Sequence, residues 1–146
     1  MKFQLRMVFV FMAITLGACA QTDNTEKKST QEEVQTQASS PIVLSTEEFR
    51  SKLELPDVQL IDVRTDAELA EGKISDATQM DVMQWDSFVA SAKNLDPSKP
   101  VLVYCRKGGR SNKAATYLAE NGFGEVYDLQ GGITSWIAEG GKVTKP

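Results

Sequence analysis

Short apolar runs alternate with segments of helical spacing from about residue 41 onward. The runs typical of β-strands cover residues 42–44, 58–63, 79–82, 101–104 and 126–129. Helical patterns lie between them, near residues 46–54, 65–71, 85–94, 111–121 and 133–139. Strands that alternate with helices indicate an α/β fold. We therefore predict a small α/β domain with a central parallel sheet of about five strands, flanked by helices.

Individual residues mark where these elements begin and how deeply they are buried. Ser45 and Glu48 have the spacing of a capping box, and so do Thr65 and Glu68, which places a helix start at each pair. Val101–Tyr104 is apolar throughout. An uninterrupted apolar run of this kind predicts a central parallel strand buried on both faces.

The N-terminus has the pattern of a targeting segment. Lys2 and Arg6 precede the apolar stretch Met7–Leu16, which is shorter than the roughly 20 residues that a membrane-spanning helix needs. Residues 16–19, Leu-Gly-Ala-Cys, resemble a bacterial lipobox, in which a leucine and two small residues precede an invariant cysteine. The pattern therefore favours a cleaved signal peptide over a transmembrane helix.

The lipobox resemblance implies a lipoprotein signal peptide over residues 1–18 and a lipid attached to Cys19. The alternative is an ordinary secretory signal cut near Ala20, with Cys19 incidental. Residues 19–40 then contain the lipidated cysteine and a polar linker that we expect to be disordered. The domain over 41–146 would be held at the bacterial cell envelope by lipid alone. It would face the periplasm or the cell exterior, on the outer membrane in a Gram-negative cell.

Composition excludes several classes of function. The chain has 146 residues, which suffice for one domain with extensions, and a formal net charge of −4 makes a nucleic-acid partner unexpected. Histidine is absent, which removes Ser-His-Asp hydrolases, Cys-His proteases and histidine-ligated zinc sites. Two cysteines provide neither a disulfide framework nor a four-cysteine metal site.

The segment after the apolar run 101–104 has the composition of an anion-binding loop. Cys105 is the first residue beyond the predicted strand, at the sheet edge where α/β proteins bind ligands. Gly108 and Gly109 allow the backbone to curl so that successive N–H groups face one centre, and a helix is predicted from Ser111. Three cations lie in the same loop: Arg106, Lys107 and Arg110. A thiol there should ionise below its usual pKa of about 8.5.

Each of these features also has an ordinary structural explanation. A cysteine that ends a strand is commonly a small buried hydrophobe, the glycines could form only a turn, and the cations could be solvated. Their combination within seven residues, from Cys105 to Ser111, favours a functional loop. Lipid on Cys19 would also leave Cys105 without an intramolecular disulfide partner.

The loop resembles the active-site loop of the rhodanese-domain sulfurtransferases, Cys-Arg-x-Gly-x-Arg-Ser. Cys105, Arg106, Gly108, Arg110 and Ser111 all match this pattern. Two other stretches agree with the same family. Residues 60–74 resemble its Asp-Val-Arg…Glu…Gly-His-Ile signature, and residues 129–136 resemble its Leu-x-Gly-Gly-x-x-x-Trp signature.

Two positions depart from the family pattern. Lys73 stands where the family commonly has His, and Asp76 where it commonly has Gly. We expect these departures to alter local packing more than chemistry. Asp62 is expected to cap a strand end and Arg64 to pair with Glu68, both in structural roles. Gly131, Gly132 and Trp136, which match the Gly-Gly and Trp of the signature, are expected to have roles in turns and packing.

The resemblance implies a two-step sulfur transfer. Cys105 would attack a sulfane donor such as thiosulfate, become a persulfide and pass the sulfur to a thiol or cyanide. The donor would be a small anion, no metal or organic cofactor is implied, and a monomer is expected. The Arg110 cation, ahead of those of Arg106 and Lys107, would bind the anionic donor. The N–H groups of the loop would hold the negative charge of the persulfide, in a site completed by Gly108, Gly109 and Ser111. We expect the amides of residues 106–111 and the Arg110 cation to keep the thiol ionised, with little contribution from Lys73.

Three alternatives remain open at this point. Phosphatases and arsenate reductases use similar loops with five residues between the cysteine and the arginine, whereas Cys105 and Arg110 are separated by four. A non-catalytic sulfur carrier or protein-interaction module would retain Cys105. A thiol redox protein is disfavoured because no second cysteine lies nearby in the sequence.

Replacing Cys19 tests the predicted anchor. We expect Cys19→Ser to move the protein from the membrane fraction to the soluble fraction, because the thioether linkage of the lipid requires the sulfur. Membrane fractionation of the wild type and the variant, expressed in a bacterial host, measures this. Unchanged fractionation of the variant would contradict the prediction.

Overall fold

The computed structural model describes residues 40–145 and contains a single parallel sheet within that range. Its strands are β1 (Ile42–Leu44), β2 (Gln59–Asp62), β3 (Thr78–Gln79), β4 (Val101–Tyr104) and β5 (Val126–Leu129). They lie in the order β1-β5-β4-β2-β3, and every neighbouring pair is parallel. The predicted fold class is therefore confirmed. The predicted signal peptide, Cys19 and nearly all of the predicted linker lie outside the described residues.

The helices begin close to the predicted positions. They are α1 (Thr46–Leu53), α2 (Asp66–Leu69), α3 (Trp85–Ala92), α4 (Gly109–Glu120) and α5 (Gly132–Ala138). Both predicted capping boxes are present, at the starts of α1 and α2. In the described part of the chain, none of the helices combines the length and apolar character that a membrane crossing would require.

Two elements differ from the sequence-based prediction. Helix α4 begins two residues earlier than expected, because the carbonyl of Gly108 already accepts a hydrogen bond from the N–H of Asn112 at 3.0 Å. Strand β3 is short and ends at Gln79 rather than Val82. The chain turns at Asp81, whose carboxylate accepts the N–H of Met83 at 2.8 Å.

Strand β4 is buried on both faces, as its apolar run predicted. On one face, Val101 and Val103 share a core cluster with Ala114, Ala115 and Leu118 of α4. On the other face, β4 packs in a second cluster that includes Phe49 of α1 and Trp136 of α5. The alanines of α4 allow the helix to lie close to the sheet. The end of β4 is thus held firmly between two layers.

A buried polar network joins β2 and β4 to the segment that follows α2. Asp62 accepts the backbone N–H of Arg64 and forms an ion pair with its guanidinium, at 2.6 Å between Nη2 and Oδ2. The Tyr104 hydroxyl donates to Asp62 at 2.8 Å and accepts the N–H of Ile74 at 3.0 Å. Arg64 also donates to the carbonyl of Gly72. The expected strand-end role of Asp62 is confirmed.

The predicted ion pair between Arg64 and Glu68 is wrong. Arg64 donates only to the backbone carbonyl of Glu68, at 3.1 Å, because its guanidinium faces the buried carboxylate of Asp62. The Glu68 carboxylate binds Arg110 instead. The Glu68 carboxylate, which was expected to bond only near the start of α2, therefore contacts the cysteine loop.

Of the two residues that depart from the family pattern, Lys73 and Asp76, the first makes local hydrogen bonds. Its backbone pairs with Thr144 in an antiparallel bridge, and its ammonium donates to the carbonyl of Ala77 at 3.0 Å. Asp76 is exposed. Lys73 thus has a packing role, in agreement with the expectation that the departure affects local structure.

Removing one hydroxyl tests the buried network. We expect Tyr104→Phe to lower the free energy of unfolding by about 1–3 kcal/mol, because the buried N–H of Ile74 and the Asp62 carboxylate each lose a partner. Tyr127→Phe is the control, since its hydroxyl bonds to Lys52 and exposed Glu125, which water can replace. Urea denaturation of both variants measures the difference. Equal losses for the two would contradict the prediction.

Candidate active site

Cys105 lies at the carboxyl end of β4 with its sulfur enclosed by the loop that follows. The residue is 1% exposed and its thiol is free. Gly108 has a φ of 100°, a left-handed conformation that favours glycine. In this conformation the N–H of Gly108 lies 3.1 Å from Sγ of Cys105. The Ser111 hydroxyl approaches the same sulfur from α4, at 3.4 Å.

Helix α5 holds the loop from the opposite side. The N–H of Ile133 donates to the carbonyl of Cys105 at 2.8 Å, and Thr134 donates to the carbonyl of Arg106 through its N–H at 3.2 Å and its hydroxyl at 2.8 Å. A side chain at Gly132 would overlap the backbone of Cys105 and Arg106. The loop carbonyls are therefore bound to α5, which leaves the neighbouring N–H groups free to face the sulfur.

These contacts determine the ionisation of the thiol. Burial alone would raise the pKa of Cys105, because a charged sulfur loses solvation. Hydrogen bonds from the Ser111 hydroxyl and from the N–H groups of Ser111, Lys107 and Gly108 outweigh burial and lower the pKa below its usual value. Of the predicted amide nest over residues 106–111, the N–H groups of Lys107, Gly108 and Ser111 act on the sulfur, and the Ser111 hydroxyl adds the largest favourable contribution.

Arg110 does not present a free guanidinium to the loop. Its two terminal nitrogens bind the two carboxylate oxygens of Glu68, at 2.7 and 2.6 Å. The hydrogen bond from Arg110 lowers the pKa of Glu68 to about 2, and Glu68 in turn raises the pKa of Arg110. The pair therefore stays ionised at any pH near neutrality and ties α4 to the start of α2.

Two cations and one glycine form the outer surface of the loop. Arg106 and Lys107 are exposed, and a side chain at exposed Gly109 would meet no other atom within 4 Å. A cleft of about 200 Å³ extends from Arg106 between the loop and α5, and it is lined by Arg64, Glu71, Gly72, Arg106, Ile133, Thr134, Ile137 and Val143. A small anion or an acceptor with an apolar group has room beside the loop.

The structure brings together all seven predicted loop residues, Cys105 to Ser111. The hydrogen bonds from Thr134 to the loop were not predicted from the sequence, which assigned Gly131 and Gly132 only to turns and packing. Asp128, a buried carboxylate on β5, was not predicted either. Among residues 40–145, no group of three or more Cys, Asp and Glu side chains could hold a metal ion.

Comparison with known proteins places this geometry in a family. The family described as Rhodanese-like domain matches residues 45–139. A sulfurtransferase from Allochromatium vinosum is 38% identical over 90 residues, which cover 62% of this chain and 81% of that protein. The polysulfide-sulfur transferase from Wolinella succinogenes superposes with a TM-score of 0.62 at 34% identity, covering 73% of this chain and 80% of its own.

A second kind of relative shares only this domain. The tRNA uridine(34) hydroxylase from Cytophaga hutchinsonii is 36% identical over 102 residues, which cover 68% of this chain but 33% of the hydroxylase. The chain thus spans about a third of that enzyme. The matched range, the sheet order and the loop around Cys105 lead to one assignment: this chain belongs to the rhodanese-like domain family.

Proposed function

We propose that the protein is a sulfurtransferase that transfers sulfane sulfur through a persulfide on Cys105. The observation that supports this most directly is the convergence of backbone N–H groups and the Ser111 hydroxyl on a single sulfur. Such a site stabilises negative charge at one small atom, which is what both a thiolate and a persulfide require.

The transfer consists of two displacements at sulfur. In the first, the Cys105 thiolate attacks the outer sulfur of thiosulfate, an S–S bond forms, and sulfite leaves with the electron pair of the broken bond. In the second, cyanide or an acceptor thiolate attacks the terminal persulfide sulfur, and Cys105 leaves as the thiolate. No proton has to be removed during either displacement while Cys105 remains ionised. The lowered pKa therefore replaces a histidine base.

The exposed cations of the loop attract the anionic sulfur donor. Arg106 and Lys107 lie in the open next to Cys105, whereas Arg110 is held by Glu68. We therefore assign attraction of the anionic donor to Arg106 and Lys107, and to Arg110 a role in fixing the loop. This changes the relative importance expected of the three cations from sequence.

The pairing of Arg110 also supports a second candidate function. A rhodanese-like sulfur carrier would be loaded by a partner protein and would not need a free guanidinium to bind thiosulfate. A phosphatase is disfavoured, because the loops that bind tetrahedral oxyanions have five residues between cysteine and arginine, whereas Cys105 and Arg110 are separated by four. The two candidates differ in whether small inorganic donors alone load Cys105.

Intact mass spectrometry tests the proposed reaction. We expect thiosulfate or polysulfide to add one sulfur atom to the protein at Cys105, and cyanide to remove it with release of thiocyanate. The Cys105→Ser variant is the control and should gain no cyanide-labile sulfur. Turnover of aryl phosphates without any persulfide would contradict the proposal, and loading only by another protein would favour the carrier.

Replacing Ser111 tests how the thiol is activated. We expect Ser111→Ala to raise the pKa of Cys105 and to slow its alkylation about fivefold at a pH below that pKa, since the charged sulfur loses one hydrogen bond. Lys73→Ala is the control, because Lys73 bonds to Ala77 and not to the loop. The measurement is the rate of iodoacetamide labelling of Cys105 against pH. An unchanged profile in Ser111→Ala would contradict the assigned mechanism.

A further inference from the structure

The cleft beside the cysteine loop has an apolar lining that the proposed reaction has not yet used. Ile137 of α5 is 53% exposed and Val143, near the C-terminus, is 38% exposed, and both line this cleft of about 200 Å³. Buried Ile133 belongs to the same lining. Single exposed apolar side chains are common, but here two separate segments contribute them to one cleft, which gives an apolar group of a ligand a surface to cover.

Hydrogen bonds on both sides of Val143 fix its position in the cleft. Lys73 and Thr144 exchange two backbone hydrogen bonds of 2.8 Å, and the Trp136 indole donates to the carbonyl of the residue before Val143 at 2.9 Å. Gly72 has a φ of 132°, and a side chain there would meet Cγ2 of Val143 at 3.2 Å. The apolar lining is therefore already formed before a ligand binds, which lowers the entropic cost of binding.

The same cleft reaches the cysteine loop. Arg106, which directly follows Cys105, is one of its lining residues. Ile133 is another, and its N–H donates to the carbonyl of Cys105 at 2.8 Å. A molecule that covers the apolar lining is therefore next to the residue that carries the reactive sulfur.

The charged groups of the cleft differ in their availability. Arg64 is buried and occupied by Asp62, whereas Arg106 is exposed and forms no ion pair with any residue between 40 and 145. Glu71 also lines the cleft, is exposed and has no cation paired with it in that range. A ligand with one carboxylate is therefore attracted at Arg106, and a second carboxylate close to Glu71 is repelled.

Of the reactants of the proposed function, only an organic acceptor can use these features together. Thiosulfate, polysulfide and cyanide contain no hydrocarbon and gain nothing from an apolar lining. We propose that the cleft binds the sulfur acceptor, a small thiol that carries one carboxylate next to its sulfur and an alkyl group. The carboxylate binds Arg106, and the alkyl group contacts Ile137 and Val143, which are specificity-determining residues.

The size of the cleft and the chemistry of the second displacement both agree with such an acceptor. Sites for drug-sized ligands have roughly 300–1,000 Å³, so this cleft fits a smaller molecule. The acceptor thiolate takes the terminal sulfur of the Cys105 persulfide and becomes an alkyl persulfide, and Cys105 leaves as the thiolate. The inference rests on the proposed function, because it requires a persulfide that an acceptor can discharge.

The test begins with full-length protein that has been loaded by polysulfide and separated from the excess. 2-Mercaptopropanoate, 2-mercaptobutanoate and 2-mercaptohexanoate then remove the sulfur from Cys105, and intact mass spectrometry follows its loss. These acids keep the carboxylate next to the thiol, so the alkyl group is what varies. We expect the second-order rate constant to rise about twofold per added methylene, because a partly exposed lining buries each methylene only in part.

Two alanine variants test the specificity-determining residues. Ile137→Ala and Val143→Ala should each slow the reaction of 2-mercaptohexanoate about threefold and leave that of 2-mercaptopropanoate unchanged. Ile42→Ala is the matched control, because Ile42 is also 53% exposed but lies on β1 and does not line the cleft. Equal rates along the series, or the same loss in Ile42→Ala, would overturn the proposal.

Mercaptosuccinate tests the role of charge. It has a second carboxylate where 2-mercaptobutanoate has a methyl group, and we expect it to react about fivefold more slowly with the wild type. Glu71→Gln should reduce this difference to about twofold. Glu120→Gln, the same change of charge at an exposed site on α4, should leave it as in the wild type. An unchanged difference in Glu71→Gln would overturn the proposed position of the alkyl group.

Alkylation distinguishes failure of this inference from failure of the proposed function. 2-Bromoalkanoates carry the same carboxylate and alkyl groups and react with the Cys105 thiolate directly, so they need no persulfide. Their rates, relative to those with free cysteine, should rise with chain length in the wild type and less steeply in Ile137→Ala. If this rise occurs but no persulfide ever forms, the proposed function fails and the binding site stands. If persulfide forms but neither series depends on chain length, the inference fails and sulfur transfer stands.

Discussion

The site depends on the hydrogen bonds between the first turn of α5 and the carbonyls of the cysteine loop. Ile133 and Thr134 bind the carbonyl oxygens of Cys105 and Arg106. In a planar peptide the N–H points away from the carbonyl, so fixing the carbonyls on one side directs the following N–H groups to the other. The close approach requires that Gly132 have no side chain. A helix late in the sequence thereby orients groups some 25 residues earlier.

A second set of contacts holds the loop near its last residues. The buried pair of Asp62 and Arg64 fixes the segment after β2, and Glu68 in that segment binds Arg110 at the start of α4. The loop is thus anchored at both of its ends. A backbone held in this way presents its dipoles to the sulfur without reorganisation, and this lowers the pKa of a buried thiol in a chain without histidine.

Features that depend on residues close together in the sequence were predictable, whereas contacts between residues far apart in the sequence were not. Strand β4, the capping boxes and the cysteine loop depend on neighbouring residues, and their patterns were sufficient to place them. The partner of Glu68 was not predictable, because Arg64 and Arg110 offer the same charge and only the packing of Asp62 on Arg64 decides between them. The position of Asp128 beneath α4 follows from strand register, which the apolar run of β5 does not reveal.

The loop also separates two tasks between backbone and side chains. Main-chain groups together with Ser111 bind the sulfur and lower its pKa, whereas the side chains of Arg106 and Lys107 and the open position at Gly109 face solvent. Substitutions on the outer surface therefore leave the activating groups untouched. In the proposed sulfur transfer, a change of side chain on this outer surface would alter which donors and acceptors bind, whereas the backbone that lowers the pKa of the thiol would stay the same.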